Sequence, residues 1–133
     1  MEPRCVTDAT EKKKYVEDFY AQLRYDSRMD FKPYAFLQAL EGYAKLEGNY
    51  IGEEYRMYFA HEIPEGEPDS FESGIEIRIG WPAVEAEDVI IPLSYEEFYP
   101  LLCEECEKYL QERPEDRGKV RELLGRIKAA LKV

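Results

Sequence analysis

One histidine, one tryptophan and three cysteines occur in 133 residues, and each scarcity removes a class of chemistry. A single histidine, His61, cannot form a His-x-x-x-His metal pattern, and no Ser or Cys motif supplies it with a nucleophile to activate. Cys5, Cys103 and Cys106 are odd in number and unevenly placed, which argues against a disulfide framework and for a reducing, cytoplasmic compartment. There is no glycine-rich phosphate loop. No apolar run approaches the ~20 residues of a membrane span, and the start, Met1-Glu2-Pro3-Arg4-Cys5, lacks a signal-peptide core. Basic charge is scarcest in the middle of the chain: between residues 53 and 107 only Arg56 and Arg78 oppose 16 acidic side chains.

The rest of the chain holds 13 acidic and 16 basic residues, so the formal net charge of −11 is concentrated in one window. Crowding like charge into a folded domain costs self-repulsion. Its commonest uses are capture of a basic partner and electrostatic steering, set against a merely solubilising surface. An acidic balance also argues against direct nucleic-acid binding, because phosphates need basic side chains. Hydrophobic residues make up 44% of the chain and aromatics 14%, with 11 tyrosines. That is too apolar for a disordered acidic tail, and residues 1–133 read as one domain with its own core.

Apolar periodicity divides the chain into elements. Asp8 and Glu11 have capping-box spacing ahead of Val16, Phe19, Tyr20 and Leu23, which predicts a helix over 9–25. Pro33 suits the first position of a second helix whose buried stripe is Phe36, Leu37, Leu40 and Ala44, with Gly48 as its stop. The period then changes to two. Tyr55, Met57 and Phe59 alternate with Arg56 and Tyr58, and Ile75, Ile77, Ile79 and Trp81 alternate with Glu76, Arg78 and Gly80, which predicts two half-buried strands. Val89-Ile90-Ile91 predicts a third. Ser94 and Glu97 repeat the capping-box spacing before a helix with Phe98, Leu102, Cys106, Tyr109 and Leu110 inward. Pro100 should separate its first turn or kink it. After Pro114, Val120, Leu123, Leu124, Ile127 and Leu131 mark a last helix. Grouped strands with short connections favour an α+β fold: a small antiparallel sheet of about three or more strands, packed with two N-terminal and two C-terminal helices.

The candidate chemistries are weak beside their structural alternatives. Cys103-Glu104-Glu105-Cys106 has redox spacing, but it lies inside a helix and its glutamates should raise both thiol pKa values; packing is the favoured role. A zinc site would need Cys5 and His61 as further ligands, and nothing in the spacing gathers them. Carboxylates are too abundant to single out an acid/base pair, and the acidic loop does not match an EF-hand. Trp81 reads as a buried strand-end residue, with an exposed interface anchor as the alternative. Tyr50 and Tyr58 are candidate contact residues. Glu104, Glu105 and Glu107 read as the solvated side of their helix.

Several segments together resemble the ribonuclease-toxin immunity proteins of bacterial contact-dependent inhibition systems, within the wider polymorphic-toxin immunity proteins. The resemblance is carried by Tyr55-Arg56-Met57-Tyr58-Phe59-Ala60 through Glu72, and by Gly74-Ile75-Glu76-Ile77-Arg78-Ile79-Gly80-Trp81-Pro82. Leu93-Ser94-Tyr95, Cys106-Glu107-Lys108-Tyr109-Leu110 and Pro114-Glu115-Asp116 fit the same pattern. It implies a non-enzymatic inhibitor without cofactor or metal, binding the C-terminal domain of a toxin. Physical argument leads to the same mechanism: a ribonuclease presents a basic cleft for RNA phosphates, and carboxylates can pair where those phosphates would sit.

The expected partner-binding residues are Glu62, Glu65, Glu67, Asp69 and Glu72 in the first inter-strand loop, Glu85, Glu87 and Asp88 in the second, and Trp81 between them. The expected partner is a basic toxin domain, with neither nucleic acid nor membrane bound and a monomer favoured. Two other readings stay open: an acidic adaptor or nucleic-acid mimic on another basic protein, and a metal-dependent hydrolase.

Overall fold

The structure, a computed structural model, describes residues 3–28, 34–81, 83–84 and 87–133. Strand β1 (Arg4–Cys5) leads into helix α1 (Ala9–Arg28), followed by α2 (Ala35–Tyr43), β2 (Asn49–Ile51), β3 (Tyr55–Phe59), β4 (Ile75–Ile79), β5 (Val89–Leu93), α3 (Tyr95–Glu112) and α4 (Arg117–Leu131). One five-stranded sheet has the order β1-β5-β4-β3-β2. All its pairings are antiparallel except β1 with β5. The fold is therefore the α+β arrangement read from the sequence, with two strands added at the edges.

Alternation along the strands decides which face is covered. Met57, Phe59, Ile75, Ile77, Ile79, Val89, Ile91 and Leu93 are all buried in one core with Phe19, Tyr20, Phe36, Phe98, Leu102, Val120 and Ile127 from the helices. α1 packs on α2 and α3, and both of those pack on α4. The opposite strand positions, Arg56, Tyr58, Glu76, Arg78 and Ile90, stand on the outer face. That face is partly roofed by the β3–β4 loop, described below.

Local chemistry sets the ends of the elements. Asp8 accepts from the Glu11 amide at 2.9 Å and starts α1, which runs to Arg28, three residues beyond the expected end. Ser94 and Glu97 form the full reciprocal capping box at α3, at 3.1 and 3.0 Å. Pro100 lies within α3, which is continuous from Tyr95 to Glu112, so the first turn is not separate. Pro33 lies outside the described residues.

Gly48 does not stop α2, which ends five residues earlier at Tyr43; the left-handed residue of this turn is Leu46, at φ 60°. A Cβ on Gly48 would sit 1.9 Å from the Met57 carbonyl oxygen. The glycine lets the turn lie against β3. At the other edge, Val6 donates to the Ile90 carbonyl at 2.8 Å. Pro92, two residues on, faces that same side without an N–H to offer, consistent with the two-residue length of β1.

Candidate functional site

The β3–β4 loop is fixed at its base by side chains that look exposed. Glu62 Oε1 accepts from the Phe59 amide at 2.8 Å and the Gly48 amide at 2.9 Å, tying the loop to the α2–β2 turn. The adjacent His61 Nε2 donates to the Leu46 carbonyl at 2.6 Å; with a carbonyl as acceptor, that nitrogen must carry the proton. Ala60 donates to the Gly74 carbonyl at 3.1 Å and closes the loop's two ends. Gly74, at φ 76°, approaches so near β5 that a Cβ would meet the Leu93 carbonyl oxygen at 2.4 Å.

Further along, the loop turns back over the outer face of the sheet, held by Arg78. Arg78 is 8% exposed. It donates to Glu76 at 2.8 and 3.0 Å, to the Asp69 carboxylate at 3.3 Å and to the Asp69 carbonyl at 2.7 Å. It also lies 4.9 Å above the Tyr58 ring and 5.8 Å from that of Phe71. One of only two basic residues in the acidic window is thus the anchor of the acidic loop. The signal for this was its isolation among carboxylates.

These bonds sort the candidate residues. Glu62 and Asp69 are exposed but engaged in holding the loop. Glu65, Glu67 and Glu72 are exposed, and their carboxylates make no hydrogen bond or ion pair among the described residues. Trp81 is 76% exposed, so the buried reading of this residue is corrected in favour of the exposed one. Glu87 is half-exposed and lies 3.8 Å from Arg4 Nε. Asp88 is exposed, and its carbonyl accepts from the Arg4 amide at 2.8 Å. Glu85 lies outside the described residues.

The two loops do not share an end of the sheet. β3, β4 and β5 form a meander, so the base of the first loop and the Trp81–Asp88 connection stand at opposite ends of β4, about 13 Å apart for five residues. Only the returning limb joins them: Asp69, Arg78 and Asp88 line one cleft of about 410 Å³ on the outer face. A second, larger groove of about 790 Å³ lies on the other side of the loop, between it, the α2–β2 turn and the start of α3. Its apolar lining, with Leu46, Ile63, Phe71 and Tyr95, escaped sequence reasoning because no periodicity connects residues from three separate segments. Tyr50 is 63% exposed, with its ring edge-on to Tyr58 at 5.7 Å.

Cys103 and Cys106 offer no activated thiol. Burial raises the pKa of both, most strongly for Cys106, and neighbouring glutamates add to it. Glu105, between them, is not on the solvated side of α3. It is 1% exposed and pairs with Arg24 at 2.6 Å and Lys108 at 2.8 Å. Glu104 and Glu107 are exposed as expected. Among the described residues no group of three or more His, Cys, Asp or Glu side chains could hold a metal ion, and no helix is long and apolar enough to cross a membrane.

No curated protein and no solved structure matches the chain. A family model described as CDI immunity protein matches residues 12–124, most of its length. The chain therefore belongs to the CDI immunity protein family, whose members are non-enzymatic inhibitors, each neutralising a cognate CDI toxin.

Proposed function

We propose that this CDI immunity protein neutralises a basic, RNA-cleaving toxin domain by laying its β3–β4 loop across the toxin's substrate cleft. The observation that carries the reading is the state of Glu65, Glu67 and Glu72: exposed, without partners among the described residues, and borne on a loop whose base is already braced. No lysine or arginine occurs between residues 57 and 77. Free carboxylates on a braced loop lose little order when they meet cations, so more of the pairing energy reaches affinity. A ribonuclease supplies such cations because it must hold phosphates. The opposite end of the sheet, with Trp81 and Asp88, gives a second contact for a partner large enough to wrap the outer face. The bound protein acts in the cytoplasm, as CDI immunity proteins generally do.

Titration of the cognate toxin domain tests this, with RNA cleavage as a second readout. Wild-type protein is expected to bind and to stop cleavage. The triple variant Glu65→Gln, Glu67→Gln, Glu72→Gln is expected to bind at least about ten-fold more weakly. Equal affinity of the triple variant would overturn the placement of the site, and a toxin that leaves RNA intact would overturn the ribonuclease assignment.

A further inference from the structure

We infer that the groove beside the acidic loop receives an apolar side chain of the toxin domain, carried on a segment whose neighbouring residues are lysine or arginine; this rests on the proposed toxin contact at the same loop. The groove of about 790 Å³ is walled by Leu46 from the α2–β2 turn, Ile63 and Phe71 from the two limbs of the loop, and Tyr95 from the first turn of α3. All four are only partly buried, and Leu46 and Tyr95 pack against the core. Glu65 and Glu72 stand on the rim, exposed and without partners among the described residues.

That combination specifies the occupant. An apolar floor takes apolar surface out of water, while an acidic rim repels any segment carrying its own carboxylates and draws in one carrying cations. A purely basic segment would leave the floor wet, and a purely apolar one would leave the rim charges uncompensated. The walls are also prepared in advance. His61 is bonded to Leu46, Glu62 to Gly48 and Phe59, Ala60 to Gly74, and the Ser94–Glu97 box fixes the turn that carries Tyr95. A preformed pocket ringed by charge is where interface energy concentrates, with a central anchor shielded from water by its surroundings.

Two substitutions inside the groove change its volume or polarity and leave every charge in place. Ser73 is an exposed lining residue. Ser73→Trp should fill the groove, and Ile63→Asn should make its wall polar. Each is expected to weaken binding of the cognate toxin domain by about 10- to 100-fold. The association rate should keep its salt dependence, because the steering charges remain. Unfolding midpoints of the free variants identify any that fail to fold, and Ile63→Asn stands if Ser73→Trp does not. Should the folded groove variants bind like wild type while removal of the Glu65, Glu67 and Glu72 charges weakens binding, the groove is not an anchor site and the acidic contact survives. If neither set of changes matters, both readings fall.

Discussion

Among the described residues, Glu105 carries the one carboxylate that the fold takes wholly out of water. Its two oxygens are claimed by Arg24 and Lys108, and Lys108 reaches Glu17 as well, at 3.0 Å. Removing Glu105 strands the largely buried Arg24, while Lys108 keeps Glu17, so Glu105→Ala should lower stability by about 1–3 kcal/mol in urea titration. The triad was not legible in the sequence, because Arg24 lies 81 positions away and helical spacing alone placed Glu105 beside two solvated glutamates. The capping residues were legible, since Ser94 and Glu97 act three positions apart. Bonding to the Ser94 backbone, then to Lys12, holds the Glu97 carboxyl below its ordinary value. A depressed folded-state pKa contributes stability that is present above the unfolded value of about 4.3 and is lost as pH falls through the folded one. Ser94→Ala should cost about 1 kcal/mol. Glu97→Gln should flatten the acid limb of the stability–pH curve in that window. Since burial keeps both thiols protonated, Cys103→Ser should leave toxin neutralisation in cells unchanged.

At the level of elements, the β3–β4 loop behaves as a braced structure despite its composition. Its proline, glycine and carboxylate content predicts an exposed loop, and most of its residues are exposed. What composition could not convey is that Glu62 and the Asp69–Arg78 pair tie it at two points. Arg78→Ala removes the second. It should leave the sheet intact and increase backbone hydrogen exchange across residues 66–72, with little change at the base held by Glu62. At the base, Gly48→Ala drives a methyl group into the Met57 carbonyl. It should cost about 1–3 kcal/mol, where a simple helix-stop glycine would tolerate alanine more cheaply. Strands β3 and β4 could be read from their alternation because each is five residues long, and β5 from its β-branched run Val89-Ile90-Ile91. β1 and β2 span two and three residues, too few for a period to register, and they exist through pairing with β5 and β3 rather than through local preference.

Across the whole molecule, the acidic window is divided by topology. An antiparallel meander sends consecutive connections to opposite ends, so the carboxylates of the first loop and the Trp81–Asp88 connection flank the sheet rather than form one patch. Glu105 leaves the surface altogether. The charge seen in the sequence is real as a long-range field, which depends little on such detail, whereas the contact surface depends on it entirely. This separates what the window does at a distance from what it does on contact. Steering should involve all the exposed carboxylates, and close pairing should fall chiefly to Glu65, Glu67 and Glu72. The association rate with the cognate toxin domain, measured by stopped flow at about 50 and about 300 mM salt, tests that division most directly. The account predicts fast, steeply salt-dependent association for wild type. For Glu65→Lys, Glu67→Lys, Glu72→Lys it predicts a slower association whose salt dependence is reduced but kept, because the other carboxylates still steer, and a dissociation rate raised by about ten-fold or more. A triple reversal that associates at the wild-type rate with the wild-type salt dependence would contradict it.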